Sequence, residues 1–422
     1  MEPETTPANT EINNQTTVAE SVIPTKGPPP FFKKSRILML AAFLIVVILI
    51  TGYIVLTSVQ DQGEKRFKEA EIAYLEGNLV ETEENLKASY DSKPNDPRVQ
   101  AALIETIANK GNLNGRESES YEEARPYVKN ALATNPGNHD VLISIGYLEE
   151  TAGNYETALE YYQKALDVEP ESAQGWFHLG HVLEFLNKQQ EAFPSYVKAY
   201  SLDPNDPLIS MAYAKTKVFK EEYFEAMSLY EAASKMPNAS SSLKAEALTN
   251  ASIINRMDLN NFPQALAYST QAVELDDNFS PALAEHGFNM AMNNQLDEGI
   301  EFMKRAIEAN PRISQNYWKL GSIYRLKGDF TSAAIYQEQA LERINIDNTL
   351  LGNGQRDVIK ASIEYDLATT YVRTGQTDKV YPMLQSAIMH NSNLKTQLLR
   401  DLDEYNTFES LGDTTNIRGL TV

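Results

Sequence analysis

Three patterns of polarity succeed one another along the chain. Residues 1–36 are polar, rich in Pro, Thr, Asn and Glu, with almost no apolar cluster before Phe31. Pro28, Pro29 and Pro30 favour an extended polyproline-type stretch, so this segment reads as a disordered N-terminal tail. Residues 37–59, ILMLAAFLIVVILITGYIVLTSV, carry no charge. A helix rising ~1.5 Å per residue over that length reaches across a bilayer core of roughly 30 Å, which predicts a transmembrane helix. A cleaved signal peptide would have a shorter apolar core followed by a small-x-small site, and this segment has neither. From residue 60 onward apolar residues recur at helical spacing, with no strand-like alternation. Gly or Pro interrupts that pattern roughly every 15–20 residues, which predicts a succession of short helices.

The charges flanking the apolar segment suggest its orientation. Lys26, Lys33, Lys34 and Arg36 precede it, whereas Lys65, Arg66 and Lys68 follow at a distance, mixed with Asp61, Glu64 and Glu69. Basic residues stay preferentially on the cytoplasmic side. The expected arrangement is a single-pass cell-membrane protein with a cytoplasmic N-terminus and an extracytoplasmic C-terminal arm.

The helical part repeats at a step of about 34 residues. Starting from residues 139–172, one step carries Gly146 to Gly180, Ala158 to Ala192, Tyr162 to Tyr196, Ala165 to Ala199 and Pro170 to Pro204. A further step carries Ala192 to Ala226, Tyr196 to Tyr230 and Ala199 to Ala233. A second run joins Gly287 to Gly321, Ala265 to Gly299 and Ala333, and Ala272 to Ala306 and Ala340. Small residues at such positions let two helices cross closely while large ones fill the space beside them. Gly153 and Gly328 suit left-handed caps at the end of a first helix, and Pro170 and Pro204 suit the end of a second.

This pattern resembles the tetratricopeptide repeat. Trp176, Leu179, Gly180, Ala192, Tyr196, Ala199 and Pro204 carry the likeness in one unit. Leu320, Gly321, Tyr324, Gly328, Phe330, Ala333 and Ala340 carry it in another, with Asn345 where Pro is usual. The resemblance implies an all-α solenoid, a right-handed superhelix of about nine helix–turn–helix units. Extending the phase places repeats one to five in 61–240, at 63–96, 97–138, 139–172, 173–206 and 207–240. The second holds extra residues around Asn112–Ser120, expected in the turn between its helices. A Ser-rich joint at Asn238–Ser242 precedes repeats six to nine in 246–394, at 246–279, 280–313, 314–347 and 361–394. An insert occupies 346–360, and its stretch LGNGQRD (351–357) reads as a flexible loop. In the last unit Val380 stands where Ala is usual. Residues 395–422 read as a closing helix followed, from Gly412, by a loose tail.

Composition then narrows the function. The 422 residues include 58 acidic and 37 basic side chains, a net charge of −21, and no cysteine. Nucleic-acid affinity rests on Lys and Arg neutralising phosphates, so no nucleic-acid partner is expected. The missing thiols exclude disulfides, Cys nucleophiles and thiolate metal sites. No phosphate-binding glycine loop or nucleophile-elbow motif occurs, and tail, anchor and repeats use nearly every residue. Neither an enzyme nor a cofactor is expected. His178, His181 and Glu184 share one helix face at a spacing that could suit a metal, but the pattern supplies no fourth ligand and no metal is expected. The acidic runs Glu81–Glu84 and Glu149–Glu150 read as solvated surface.

The family resemblance implies protein partners bound in the concave face lined by the first helix of each unit. Positions expected to point inward are Tyr147, Phe177, His181, Met211 and Lys215 in the regular middle, then Phe288, Met292, Trp318, Arg325 and Tyr365. Phe185 and Phe219 lie nearer the helix ends. This describes a largely apolar groove with scattered cations. A clamp for a chaperone's C-terminal carboxylate would need Lys, Asn and Arg where Ile143, Tyr147, His178, Leu208 and Ala212 stand. The expected function is a membrane-anchored scaffold that binds a peptide or helix of another protein, in assembly of a prokaryotic cell-envelope complex. The alternative is a cytosol-facing receptor for client or precursor proteins, whose layout resembles mitochondrial import receptors; a less favoured third is a metal-dependent enzyme with its site at His178 and His181.

Overall fold

The computed structural model describes residues 62–347, 352–405 and 407–421. The tail at 1–36 and the apolar segment at 37–59 lie outside the described residues. No helix among the described residues is long and apolar enough to cross a membrane.

The described chain is helical throughout, with no strand among the described residues. Its first five helix pairs are α1 (Gln62–Leu75) with α2 (Leu79–Ser92), α3 (Pro97–Asn114) with α4 (Glu117–Thr134), α5 (His139–Thr151) with α6 (Tyr155–Val168), α7 (Ala173–Phe185) with α8 (Gln189–Leu202), and α9 (Pro207–Phe219) with α10 (Tyr223–Ser234). Four more follow: α11 (Ser241–Met257) with α12 (Phe262–Leu275), α13 (Ser280–Met292) with α14 (Leu296–Ala309), α15 (Ser314–Lys327) with α16 (Phe330–Arg343), and α17 (Gly352–Thr374) with α18 (Thr377–His390). A closing helix α19 (Leu394–Asp403), a short 3₁₀ turn and α20 (Thr415–Gly419) end the chain.

Local chemistry sets these boundaries. Asp96, Asn138, Ser172, Asp206 and Ser240 cap the first helices of successive pairs, each side chain accepting a bond from a backbone N–H in the first turn. Short polar side chains at that position satisfy donors the helix leaves open. At the turn inside each regular pair one residue takes the left-handed conformation. It is Gly153 and Gly328 as expected, but Asn187, Glu221, Asn260 and Asn294 elsewhere.

Glycine also permits the close approach inside a pair. A Cβ on Gly146 would lie 2.6 Å from the ring of Tyr162, and one on Gly180 equally close to that of Tyr196. Both tyrosines are fully buried. Their hydroxyls donate to Glu150 at 2.7 Å and Glu184 at 2.8 Å.

The insertions depart from the expected loops. The extra residues of the second unit lengthen α3 and α4 to 18 residues each, against 13 and 14 in the next pair. The Ser-rich joint ends on the cap Ser240, and Ser241 already begins the 17-residue α11. The stretch from Gly352 is not a loop but the start of the 23-residue α17. Once a helix is nucleated, adding a turn gains one hydrogen bond per residue, whereas a loop leaves those groups to solvent. The tail after Gly412 is not loose either, because Ile417 is buried against Leu398, Leu402 and Phe408.

The stack curls far enough for the loop before α15 to meet the second pair. Arg312 Nη1 lies 3.9 Å from Glu117 Oε1.

Candidate binding groove

The first helices of the first five pairs share one concave surface, and a cavity of about 620 Å³ runs along it. That volume lies within the range of ligand pockets. Tyr74, Ile143, Tyr147, Phe177 and Ile209 give it apolar walls, with Leu75, Leu113 and Leu208 also lining it. Those three leucines are large side chains left exposed. Glu105, Glu150 and Asp206 bring carboxylates to the same cavity, and Asn109, Asn112 and Gln174 bring amides.

Glu150 organises the centre of this surface. Its Oε2 accepts from Tyr162 of its own pair, and its Oε1 lies 2.7 Å from His181 Nδ1 of the next pair. Burial alone would raise the Glu150 carboxyl. The adjacent His181, by charge and hydrogen bond, with help from His178 and the Tyr162 hydroxyl, outweighs it and holds the group below its ordinary range. Burial would likewise depress His181, but the charge and hydrogen bond of Glu150 raise it. The neighbouring unit repeats the device: Glu184 accepts from Tyr196 and from Lys215 Nζ at 2.8 Å. The Tyr147 hydroxyl donates to Asn109 at 2.7 Å. Burial, and after it the charges of Glu150 and Glu105, push its phenol upward.

Glu149 and Glu150 are thus buried, which corrects their reading as solvated surface. Glu83 is also buried, paired with Lys87 and Lys110. In each case a cation or a phenol on another turn or helix supplies the partner that burial requires.

The expected groove residues divide among several places. Tyr147, Phe177 and His181 line the large cavity. Lys215 is exposed beside it and bound to Glu184. Phe288, Met292 and Arg325 line a second cavity of about 480 Å³ with Phe330 and Arg373. Arg325 pairs with Asp366 at 2.9 Å, and Trp318 Nε1 donates to the same carboxylate at 2.7 Å. Met211 and Tyr365 are corrections. Met211 packs with Ala214, Tyr230 and Ile254 in the core. Tyr365 is buried in the terminal core with its hydroxyl bonded to Asp401. Phe185 stacks on Tyr155, and Phe219 packs on Phe193.

His178, His181 and Glu184 turn to different neighbours. His178 stacks on Tyr162, His181 binds Glu150, and Glu184 binds Tyr196 and Lys215. Among the described residues no group of three His, Asp or Glu side chains is arranged to hold a metal ion.

Family models described as tetratricopeptide repeat match residues 116–167, 145–207 and 314–346. The helix pairs within those residues match the tetratricopeptide repeat. Solved structures agree at the level of the fold. The human IFIT1 dimer with m7Gppp-AAAA is 16% identical with a TM-score of 0.55, the match covering 87% of this chain and 88% of that one. The Cut9–Hcn1 hetero-tetramer of the APC/C is 14% identical with a TM-score of 0.50, covering 85% of this chain and 80% of that one. No curated protein sequence matches significantly. Such repeats generally mediate protein–protein interaction.

Sequence reasoning missed Tyr74, Glu105, Asn109 and Asn112 because the phase is weak in the first two repeats. Glu105 lies as far after its cap Asp96 as Tyr147 and His181 lie after Asn138 and Ser172, but the extra residues of the second unit break the 34-residue step that would reveal it. The six-residue combination of Glu150 and Glu184, Tyr162 and Tyr196, and His181 and Lys215 was within reach, since each pair is separated by a single repeat step.

Proposed function

We propose that this chain is a membrane-anchored protein-interaction scaffold whose concave groove holds a segment of a partner protein. Residues 37–59 cross the bilayer in this reading. The basic residues Lys33, Lys34 and Arg36 keep the N-terminus in the cytoplasm, and the repeats extend on the other side. The setting is assembly of a prokaryotic cell-envelope complex. The observation that carries the groove reading is the cavity lined by Tyr147, Phe177 and His181 across five successive first helices. The internal pairing of Glu150 with His181 and Tyr162 favours binding over chemistry, because these groups already satisfy one another.

The test is crosslinking from a photoreactive amino acid at position 177 in native membranes, with protease protection of the arm in intact cells. Envelope proteins among the products, from a protected arm, are the expected result. Products that are cytosolic clients, from an unprotected arm, would reverse the orientation and favour the receptor. Absence of any specific product would count against the groove.

A further inference from the structure

If the chain is the scaffold proposed above, the chemistry of the cavity narrows what it takes. We infer that the occupant is an extended, apolar segment of a partner protein bearing lysine or arginine. The carboxylates of Glu105, Glu150 and Asp206 are all buried at the cavity. Glu150 is bound to His181 and Tyr162, and Asp206 accepts from the backbone of Leu208 and Ile209, so the inference rests on the balance of the lining, three carboxylates against the two histidines His178 and His181, and not on a free acceptor. An acidic segment would bring like charge into a weakly hydrated space, which costs several-fold in affinity, whereas a cation complements it. The same asymmetry disfavours phosphate-rich ligands.

The walls argue for apolar side chains between the cations. Leu75, Leu113 and Leu208 are 58%, 76% and 40% exposed, beside the rings of Tyr147 and Phe177. Apolar surface of this kind, edged by polar groups, marks an interaction site. The amides of Asn109 and Asn112 argue for an extended backbone. The Asn109 oxygen already accepts from Tyr147, and its NH2 group can donate to a main-chain carbonyl that a helix would already have paired internally.

The experiment uses the full chain in nanodiscs of zwitterionic lipid and fluorescently labelled peptides of about ten residues. Three peptides alternate Leu with Lys, Gln or Glu, and binding is read by anisotropy. The Leu–Lys peptide should bind about tenfold more tightly than the Leu–Gln peptide, and the Leu–Glu peptide more weakly than both. Glu105→Gln should remove most of the preference for lysine. Leu113→Lys, at an exposed rim position, should do so too if Glu105→Gln does not fold. Glu298→Gln, on an exposed face elsewhere, should change nothing.

Equal binding of the three peptides, with loss in Phe177→Ala, would overturn the charge preference and leave the groove reading standing. A lysine preference that survives both groove variants, or falls equally with Glu298→Gln, would overturn it as mere attraction to an acidic surface. Phe177-dependent binding of the m7Gppp-AAAA oligonucleotide would overturn both inference and scaffold reading. Failure of every peptide, together with no crosslink from position 177, would count against the scaffold reading itself.

Discussion

Gly180→Ala tests whether close helix approach, rather than composition alone, holds a repeat together. A Cβ at this position would lie 2.6 Å from Tyr196 Cε1, 2.8 Å from Cδ1 and 3.1 Å from Cζ. Carbon atoms rest at about 3.5–4.0 Å, so the overlap approaches 1 Å. The ring has little room to retreat. Tyr196 is 1% exposed, and its hydroxyl is tied to Glu184 at 2.8 Å. Overpacking of this kind costs about 1–3 kcal/mol, while replacing a helical Gly by Ala gains about 1 kcal/mol in propensity. The net expectation is a loss of up to about 2 kcal/mol confined to α7 and α8. Repeat arrays open unit by unit, so native-state hydrogen exchange reports this better than one melting temperature. Amides of α7 and α8 should exchange up to about 30-fold faster, with those of α13 to α16 unchanged. Gly137→Ala is the control, since a Cβ there meets nothing within 4 Å. Adding Tyr196→Leu to Gly180→Ala should recover part of the loss by making room, and a double-mutant cycle measures how much. Slower exchange in α7 and α8 of Gly180→Ala, the result expected from propensity alone, would refute the reasoning.

The His181–Glu150 pair predicts a pH dependence that NMR titration can read. His181 should titrate above 6.5, and Glu150→Gln should bring it below that value by leaving burial without its counter-charge. A raised histidine pKa contributes stability that is complete below the unfolded value and is lost as pH rises through the folded one. The joint between the third and fourth repeats should therefore loosen on the alkaline side of that titration, modestly, because His181 is partly solvated. Glu221 has φ +60° on an exposed turn where other repeats use Gly or Asn. Glu221→Gly should stabilise by about 0.5–1 kcal/mol in denaturant unfolding, and a loss would mean that the turn is not strained. Glu285 is 1% exposed and receives Arg256 Nε at 2.9 Å. Glu285→Ala should cost about 3–5 kcal/mol, seen as faster exchange across α11 to α15, because it leaves a largely buried guanidinium without its partner.

How much was legible in the sequence depended on whether a position repeats. Gly146 and Gly180, Tyr162 and Tyr196, and Gly153 and Gly328 announce close crossings and left-handed turns, and these residues occupy those places. The nine helix pairs among the described residues follow the same periodicity. The N-caps at Asn138, Ser172, Asp206 and Ser240 also recur at one repeat step, but three different residue types serve there, so identity alone hides them. Insertions defeated the reading because Gly and Asn in Asn112–Gly115 and in the stretch from Gly352 look like loops, whereas one helix runs on to Asn114 before stopping at Gly115 and another starts at Gly352. Inward and core positions were hard to separate near helix ends. A single residue turns by about 100° around a helix axis, so Met211 and Tyr365 fall into the core on a small error of phase.

The carboxylates of the groove connect architecture to recognition. Glu150 binds a tyrosine of its own second helix and a histidine of the next first helix, and Glu184 does the same with Tyr196 and Lys215. Each one joins three helices across a repeat boundary. The device stops at the following unit, where Val218 stands one step beyond Glu184 and Tyr230 keeps its ring buried without that acceptor. A cation delivered to Glu150 by a bound segment would compete with His181 for the same carboxylate. Occupancy of the groove and tightness of the joint between the third and fourth repeats are then linked, and linkage requires reciprocity. Conditions that weaken the His181–Glu150 pair, such as deprotonation of the histidine, should leave Glu150 more available to a lysine or arginine.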